Sequence, residues 1–233
     1  MAQQQRLDVL ANNLANVNTR GFKADKLTFS DMLVRSIADD AGNGSTIGVL
    51  ASGPTADSET TDLSQGGVEM TGNNLDCSLG GAGMFAVQTA NGVRYTRDGA
   101  FTLNATGGLV TKNGDAVLDN DGKPITGLSG HITIEKNGVI HLDDKAATIA
   151  TIGRYDGTFT KDLGGKNFFN AADARAFAAK EGPSVDSGQL ETANVEPVTV
   201  MVQMIALQRA YEISQKMVQS QDESTAKLNE VMA

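Results

Sequence analysis

The chain has 233 residues, 19 basic and 28 acidic side chains and a formal net charge of −9, with 40% hydrophobic and 20% charged residues. That composition is neither disordered nor membrane-spanning, and net acidity without a Lys/Arg cluster argues against a nucleic-acid partner. One cysteine, Cys77, rules out an internal disulfide, and only two histidines, His131 and His141, argue against a histidine-rich zinc site.

Residues 2–17 read as a helix, because Leu7, Leu10, Leu14 and Val17 recur at i, i+3, i+7 and i+10 and stack on one face. Asn12, Asn13 and Asn16 are poor helix-interior residues, since their amides compete for nearby backbone groups. Asn18 and Gly21 are the predicted exit residues. Leu27, Phe29, Met32, Leu33 and Ile37 fit either a short helix or an extended arm. Residues 38–62, rich in Gly, Ser, Thr and Asp, read as loop, with room for a short strand at 47–50. So long a stretch is uncommon inside a compact domain, which predicts an arm or a segment ordered by a partner.

Residues 75–154 carry short, partly alternating runs: MFAVQT (84–89), VRYTRD (93–98), GAFTLN (99–104), GLVTKN (108–113), AVLDND (116–121), HITIEK (131–136) and GVIHLD (138–143). Asn-Gly and Asp-Gly pairs between them give an antiparallel hairpin rhythm, and 26 glycines against 4 prolines suit it. ATIATIGRY (147–155) adds one more strand. The alanine-rich stretch 166–182 is either helical or an irregular loop, and residues 188–194 read as a connection. The strongest helix spans 197–228, with Pro197 in the first turn and Asn194 as its cap. At 100° per residue, Val198, Met201, Val202 and Ile205 share one sector, and Met204, Leu207, Tyr211 and Val218 share another. Ile213, Met217 and Leu228 fall between. So wide an apolar arc predicts burial on more than one side.

These elements predict an α+β chain: a discontinuous helical domain from paired N- and C-terminal helices (residues 1–37 and 189–233, with an adjoining arm), a loop-rich linker (38–67) and a central antiparallel β-rich domain (68–188). Terminal helices flanking a middle module suit self-assembly. The predicted interface is Leu7, Leu10, Leu14, Val17, Val198, Met201, Val202, Met204, Ile205, Leu207, Tyr211, Met217, Val218 and Leu228. Gln203, Gln208, Gln215 and Gln219, with Asn12, Asn13 and Asn16, would add uncharged polar surface for neighbouring subunits.

The residues themselves point further. LDVLANNLANVNTRGFKAD (7–25), VEMTGNNLDCSLGGAGMFAVQTANGVRYTRDGAFTLNATGGLVTKNGDAVL (68–118) and ETANVEPVTVMVQMIALQRAYEISQKMVQSQDE (191–223) resemble, in this order, the N-terminal, middle and C-terminal signatures of the bacterial flagellar rod and hook proteins. The resemblance implies a structural subunit of the basal-body rod, whose terminal helices build the axial shaft around the export channel while the β-domain faces outward. Its partners would be other copies of itself, neighbouring rod proteins and, during secretion, the flagellar export apparatus. It would need no cleaved signal peptide and would lie in the basal body, across the periplasm or the wall, without inserting into a membrane. VLDNDGKPITG (117–127) and NVEPV (194–198) resemble a proximal rod subunit, LQRAYEISQK (207–216) a distal one; the proximal place is favoured. Family members carry about a dozen residues ahead of the Gln-rich start, so the first helix is expected to lack its leading turns.

No catalytic group, cofactor site or metal site is predicted. His131 and His141 lie on neighbouring strands with no cysteine near either. Asp119, Asp121 and Gly122 resemble a calcium loop only faintly, lacking its closing glutamate. Asp76, Asp98 and Asp119 each adjoin a turn, where aspartate is common for capping reasons. GGAG (80–83) lacks the spacing and βαβ context of a dinucleotide loop. A wall-glycan binding or hydrolysing module is the non-structural alternative; with no tryptophan and eleven Phe and Tyr residues, the chain is poorly equipped for it. A hook-related cap or adaptor is a second structural alternative.

Overall fold

The first helix, α1 (Ala2–Ala15), ends two residues earlier than its apolar stripe predicts. The chain leaves it through a turn in which Thr19 N donates to Asn16 O at 2.9 Å, so Val17 falls outside the helix. The computed structural model describes residues 2–31, 35–38, 46–50, 54–142, 148–161, 168–171, 173–177 and 182–232. The chain divides into two compact units: Met1–Ala15, Asp25–Thr60 and Glu196–Ala233 form one, and Asn16–Ala24 with Thr61–Val195 form the other.

In the first unit, α1 packs against α2 (Pro197–Met232) and against the strand Asp25–Asp31. That strand pairs with Pro54–Thr61, and Arg35–Ala38 pairs antiparallel with Thr46–Leu50. The run from Leu27 to Ile37 is therefore extended where described rather than helical; Met32 and Leu33 lie outside the described residues. Composition reads 54–61 as loop, yet it is a strand, because backbone pairing orders polar residues that no apolar alternation announces. Asn13 explains its own awkward place in α1. Its side-chain amide donates to Asp25 O at 2.8 Å and accepts from Asp25 N at 2.9 Å, so a helix residue completes the end of a strand. Asn13 and Asn16 are thus buried within their own chain rather than held out for neighbours.

The second unit is the β-rich body. A nine-stranded sheet runs, in order, Thr160–Lys161, Phe169–Asn170, Gly92–Thr96, Met84–Thr89, Ala116–Val117, Leu109–Thr111 and Phe101–Leu103. Arg154–Asp156 also joins Met84–Thr89 and carries Arg175–Ala176. Ile132–Ile134, Val139–Leu142 and Thr148–Thr151 form a three-stranded antiparallel sheet. ATIATIGRY is consequently two strands, one in each sheet, with the change at Ile152 and Gly153. The alanine-rich stretch yields the strands Phe169–Asn170 and Arg175–Ala176; residues 178–181 lie outside the description. Inward residues of the sheets, among them Leu79, Phe85, Val87, Phe101, Leu109, Ile140 and Val185, make one fully buried cluster, with Phe85 and Phe101 edge to face at 5.2 Å.

Two further pairings finish this unit with its chain ends. Ser184–Ser187 pairs with Cys77–Gly80, and Gln189–Glu191 pairs with Val68–Met70, so the predicted connection at 188–194 is partly strand. Glu191, fully buried, accepts from Lys23 Nζ and from Gly66 N (2.9 Å) with Oε1, and from Arg97 Nη1 (3.1 Å) with Oε2. Lys23 Nζ also donates to Ser64 O at 2.6 Å, and Arg97 Nη2 donates to Gly81 O. Burial draws both cations below their ordinary pKa values, opposed by the Glu191 carboxylate. Close by, Asn194 Oδ1 accepts from Ala24 N (2.7 Å) and its Nδ2 donates to Asp62 O (2.8 Å). Asn194 therefore does not cap α2; Glu196 adjoins the helix start, with its carbonyl accepting from Val200 N and its carboxylate from the Thr199 hydroxyl.

Candidate assembly surface

Helix length sets the geometry of this surface. At 1.5 Å per residue the 36 residues of α2 span about 54 Å and the 14 of α1 about 21 Å, so α1 leaves more than half of α2 uncovered. Burial follows that arithmetic. On α1, Leu10 is buried and Leu7 and Leu14 are half-buried; Val17 is half-buried in the turn beyond, within the other unit. On α2, Val200 is buried and Met204 and Leu207 are half-buried, while every residue from 208 to 221 is exposed.

The stripe does not stop where the cover does. Val200, Met204, Leu207, Tyr211, Ser214 and Val218 recur at alternating steps of four and three, the spacing of a helix-packing seam. Tyr211 is 43% and Val218 56% exposed. The first three turns also carry apolar residues away from that seam: Val198, Met201, Val202 and Ile205 are all exposed. Ile213 and Met217 are exposed between the two sectors. Leu228 lies in α2, but its side chain is outside the description.

The structure thus gathers Leu7, Leu10 and Leu14 with Met204 and Leu207 in one unit. It leaves Val198, Met201, Val202, Ile205, Tyr211, Met217 and Val218 in water. Val200 was missed at the sequence level, although its place two residues past Val198 sets it in the Met204–Leu207 sector. Isolated exposed apolar side chains mean little, but a run of this length on one helix is a candidate interaction surface. Between 197 and 221 only Arg209, Glu212 and Lys216 are charged, and Gln203, Gln208, Gln215 and Gln219 are all exposed.

The β-rich unit gathers no comparable chemistry among its described residues. Asp119 spends its carboxylate on its own turn, accepting from Asp121 N (2.9 Å) and Lys123 N (2.8 Å). Asp98 accepts from Ala100 N, and burial raises its pKa. His141 lies in the strand Val139–Leu142 opposite Thr133, with Nε2 3.0 Å from Glu135 Oε1; His131 is exposed just before Ile132–Ile134.

Residues 186–231 match the C-terminal region of flagellar basal body rod FlgEFG proteins, 78–160 the D1 domain of flagellar hook protein FlgE/F/G, and 1–23 the flagella basal body rod protein family. The flagellar basal-body rod protein FlgF of Caulobacter vibrioides is 35% identical over 98% of this chain and 91% of its own length. The rod protein FlgG of Bacillus subtilis is 33% identical over 94% of this chain and 90% of its own. FlgG of Buchnera aphidicola subsp. Baizongia pistaciae is 32% identical over 98% and 94%.

Proposed function

Because the chain belongs to the bacterial flagellar basal-body rod protein family and is a structural subunit of that rod, we propose that α1 and α2 act as one discontinuous helical domain that polymerises into the axial shaft. The observation that carries this reading is the uncovered seam of α2. A stripe buried or half-buried at Val200, Met204 and Leu207, where α2 packs with α1, continues bare through Tyr211 and Val218, and a helix of the same spacing fits it. Each Val or Met buried on assembly contributes roughly 1.5–3 kcal/mol.

In this reading Leu7, Leu10 and Leu14 set the first helix, and Val17 belongs to the turn that follows it. Val198, Met201, Val202 and Ile205 take a second neighbour, Tyr211 and Val218 continue the seam, and Met217 and Leu228 add apolar residues between the two sectors. The partners are copies of the chain itself and neighbouring rod proteins, and the chain reaches the basal body through the flagellar export apparatus without a cleaved signal peptide.

Residues 117–127 and 194–198 support a proximal place in the rod; residues 207–216, with their resemblance to a distal subunit, support the other. Quantitative mass spectrometry of purified basal bodies, using peptides from 84–112 and 199–216, tests both points. A few copies per structure are expected for a proximal subunit, and several-fold more would make it distal. Absence from intact basal bodies would overturn the assembly reading.

A further inference from the structure

Each of the three segments that carry the family resemblance contributes one residue to a single buried ion cluster: Lys23, Arg97 and Glu191. The Lys23–Glu191 contact joins residues 168 apart in sequence, and the Arg97–Glu191 contact joins residues 94 apart. Glu191 closes the last strand of the β-rich unit, Gln189–Glu191. Its backbone also takes part, since Glu191 O accepts from Gly21 N at 2.9 Å. The segments tied here are those by which the chain enters and leaves the unit: 21–24, 62–67 and 189–194.

We propose that the Lys23–Glu191–Arg97 cluster is a clasp that closes last, after the sheet of the β-rich unit has formed, and then locks the entering and leaving segments together. Contacts of such sequence separation carry the largest loop-closure cost, so they follow the local hairpins rather than precede them. The sheet's hairpins are short-range, Met84–Thr89 folding directly onto Gly92–Thr96 and Leu109–Thr111 onto Phe101–Leu103, and its longer pairings, Phe85 with Arg154 and Tyr95 with Phe169, still span less than either clasp contact. Before closure the two cations keep their water; only the arriving carboxylate allows both to be buried. A chain that emerges from its amino end holds Lys23 and Arg97 without their partner until residue 191 follows. Its entry and exit segments stay open for all of that time.

Cys77 supplies a reporter in the full chain. It is fully buried and pairs with Ser187 on the strand that precedes Glu191. The experiment follows labelling of Cys77 by Ellman's reagent and refolding by tyrosine fluorescence, in the full chain and its Glu191→Gln variant. A late clasp predicts labelling faster by at least about tenfold with a refolding rate within about twofold of the parent, because interactions absent from the transition state act on opening alone. Glu191→Asp keeps the charge but withdraws it; should Glu191→Gln not fold, this variant is expected to show the same split on a smaller scale. Labelling unchanged in both variants would overturn the clasp. Refolding slowed by the same factor as the loss of stability would overturn its late closure, placing the cluster in the folding nucleus instead.

Discussion

Cys77 sits fully buried in the strand Cys77–Gly80, where burial, and less strongly the neighbouring Asp76 charge, push its thiol from 9.0 up to about 12. The native state thus keeps a proton that the unfolded chain gives up above pH 9. Stability should therefore fall as pH rises from about 9 toward 12, by about 1.4 kcal/mol per unit at most. Cys77→Ala should lessen that alkaline slope in urea denaturation followed from pH 8 to 11. Gly21 carries a second residue-scale prediction. Its φ of +65° lies in the left-handed region, and a Cβ there would collide with the Arg97 carbonyl carbon and the Asp98 nitrogen. Gly21→Ala should cost more than about 2 kcal/mol, seen as a lower urea midpoint. The sequence marked Gly21 as an exit residue from the helix. What it did not show was the second reason for glycine, a backbone that arrives from 76 positions downstream.

Elements were legible in proportion to how local their causes are. Met84–Thr89 coincides residue for residue with the run MFAVQT, because apolar content and a following Asn-Gly turn both lie within ten residues. Both helices were found with their starts in place, and their C-terminal ends shifted by two and four residues, boundaries being the least legible part of an element. Pro54–Thr61 and Gln189–Glu191 escaped because their partners lie far away in sequence and their side chains follow no alternation. Asn194 was misread for the same reason: its partners Ala24 and Asp62 lie more than 130 residues upstream. Of the candidate assembly surface, the apolar arc of α2 was legible from periodicity, whereas which of its residues are exposed was not. At this scale two substitutions on one seam should part company. Leu10→Ala, at a buried position, should destabilise the isolated chain by about 2 kcal/mol. Val218→Asp, at an exposed one, should move its thermal midpoint little (within about 0.5 kcal/mol) and yet abolish incorporation into basal bodies.

For the whole molecule, the uneven distribution of packing predicts uneven opening. The β-rich unit has closed cores in its sheets, whereas α2 is exposed at every residue from 208 to 221. Hydrogen exchange on a dilute sample should show amides 85–88 and 94–96 firmly protected and those of 210–221 exchanging early. Protection of the latter should rise with protein concentration if the seam is filled by a second copy. Firm protection at the lowest concentration would remove the need for a partner.

The scarcity of charge over residues 197–221 of α2 has a thermal consequence. A surface in which Val, Met, Ile and Tyr meet water, and three charges stand among 25 residues, gains its cohesion from releasing that water rather than from ion pairing. Cohesion of this origin weakens on cooling and carries a negative heat-capacity change. Polymers grown from this chain should loosen on ice and re-form on warming, and added sodium chloride should neither dissolve them nor mimic the cold.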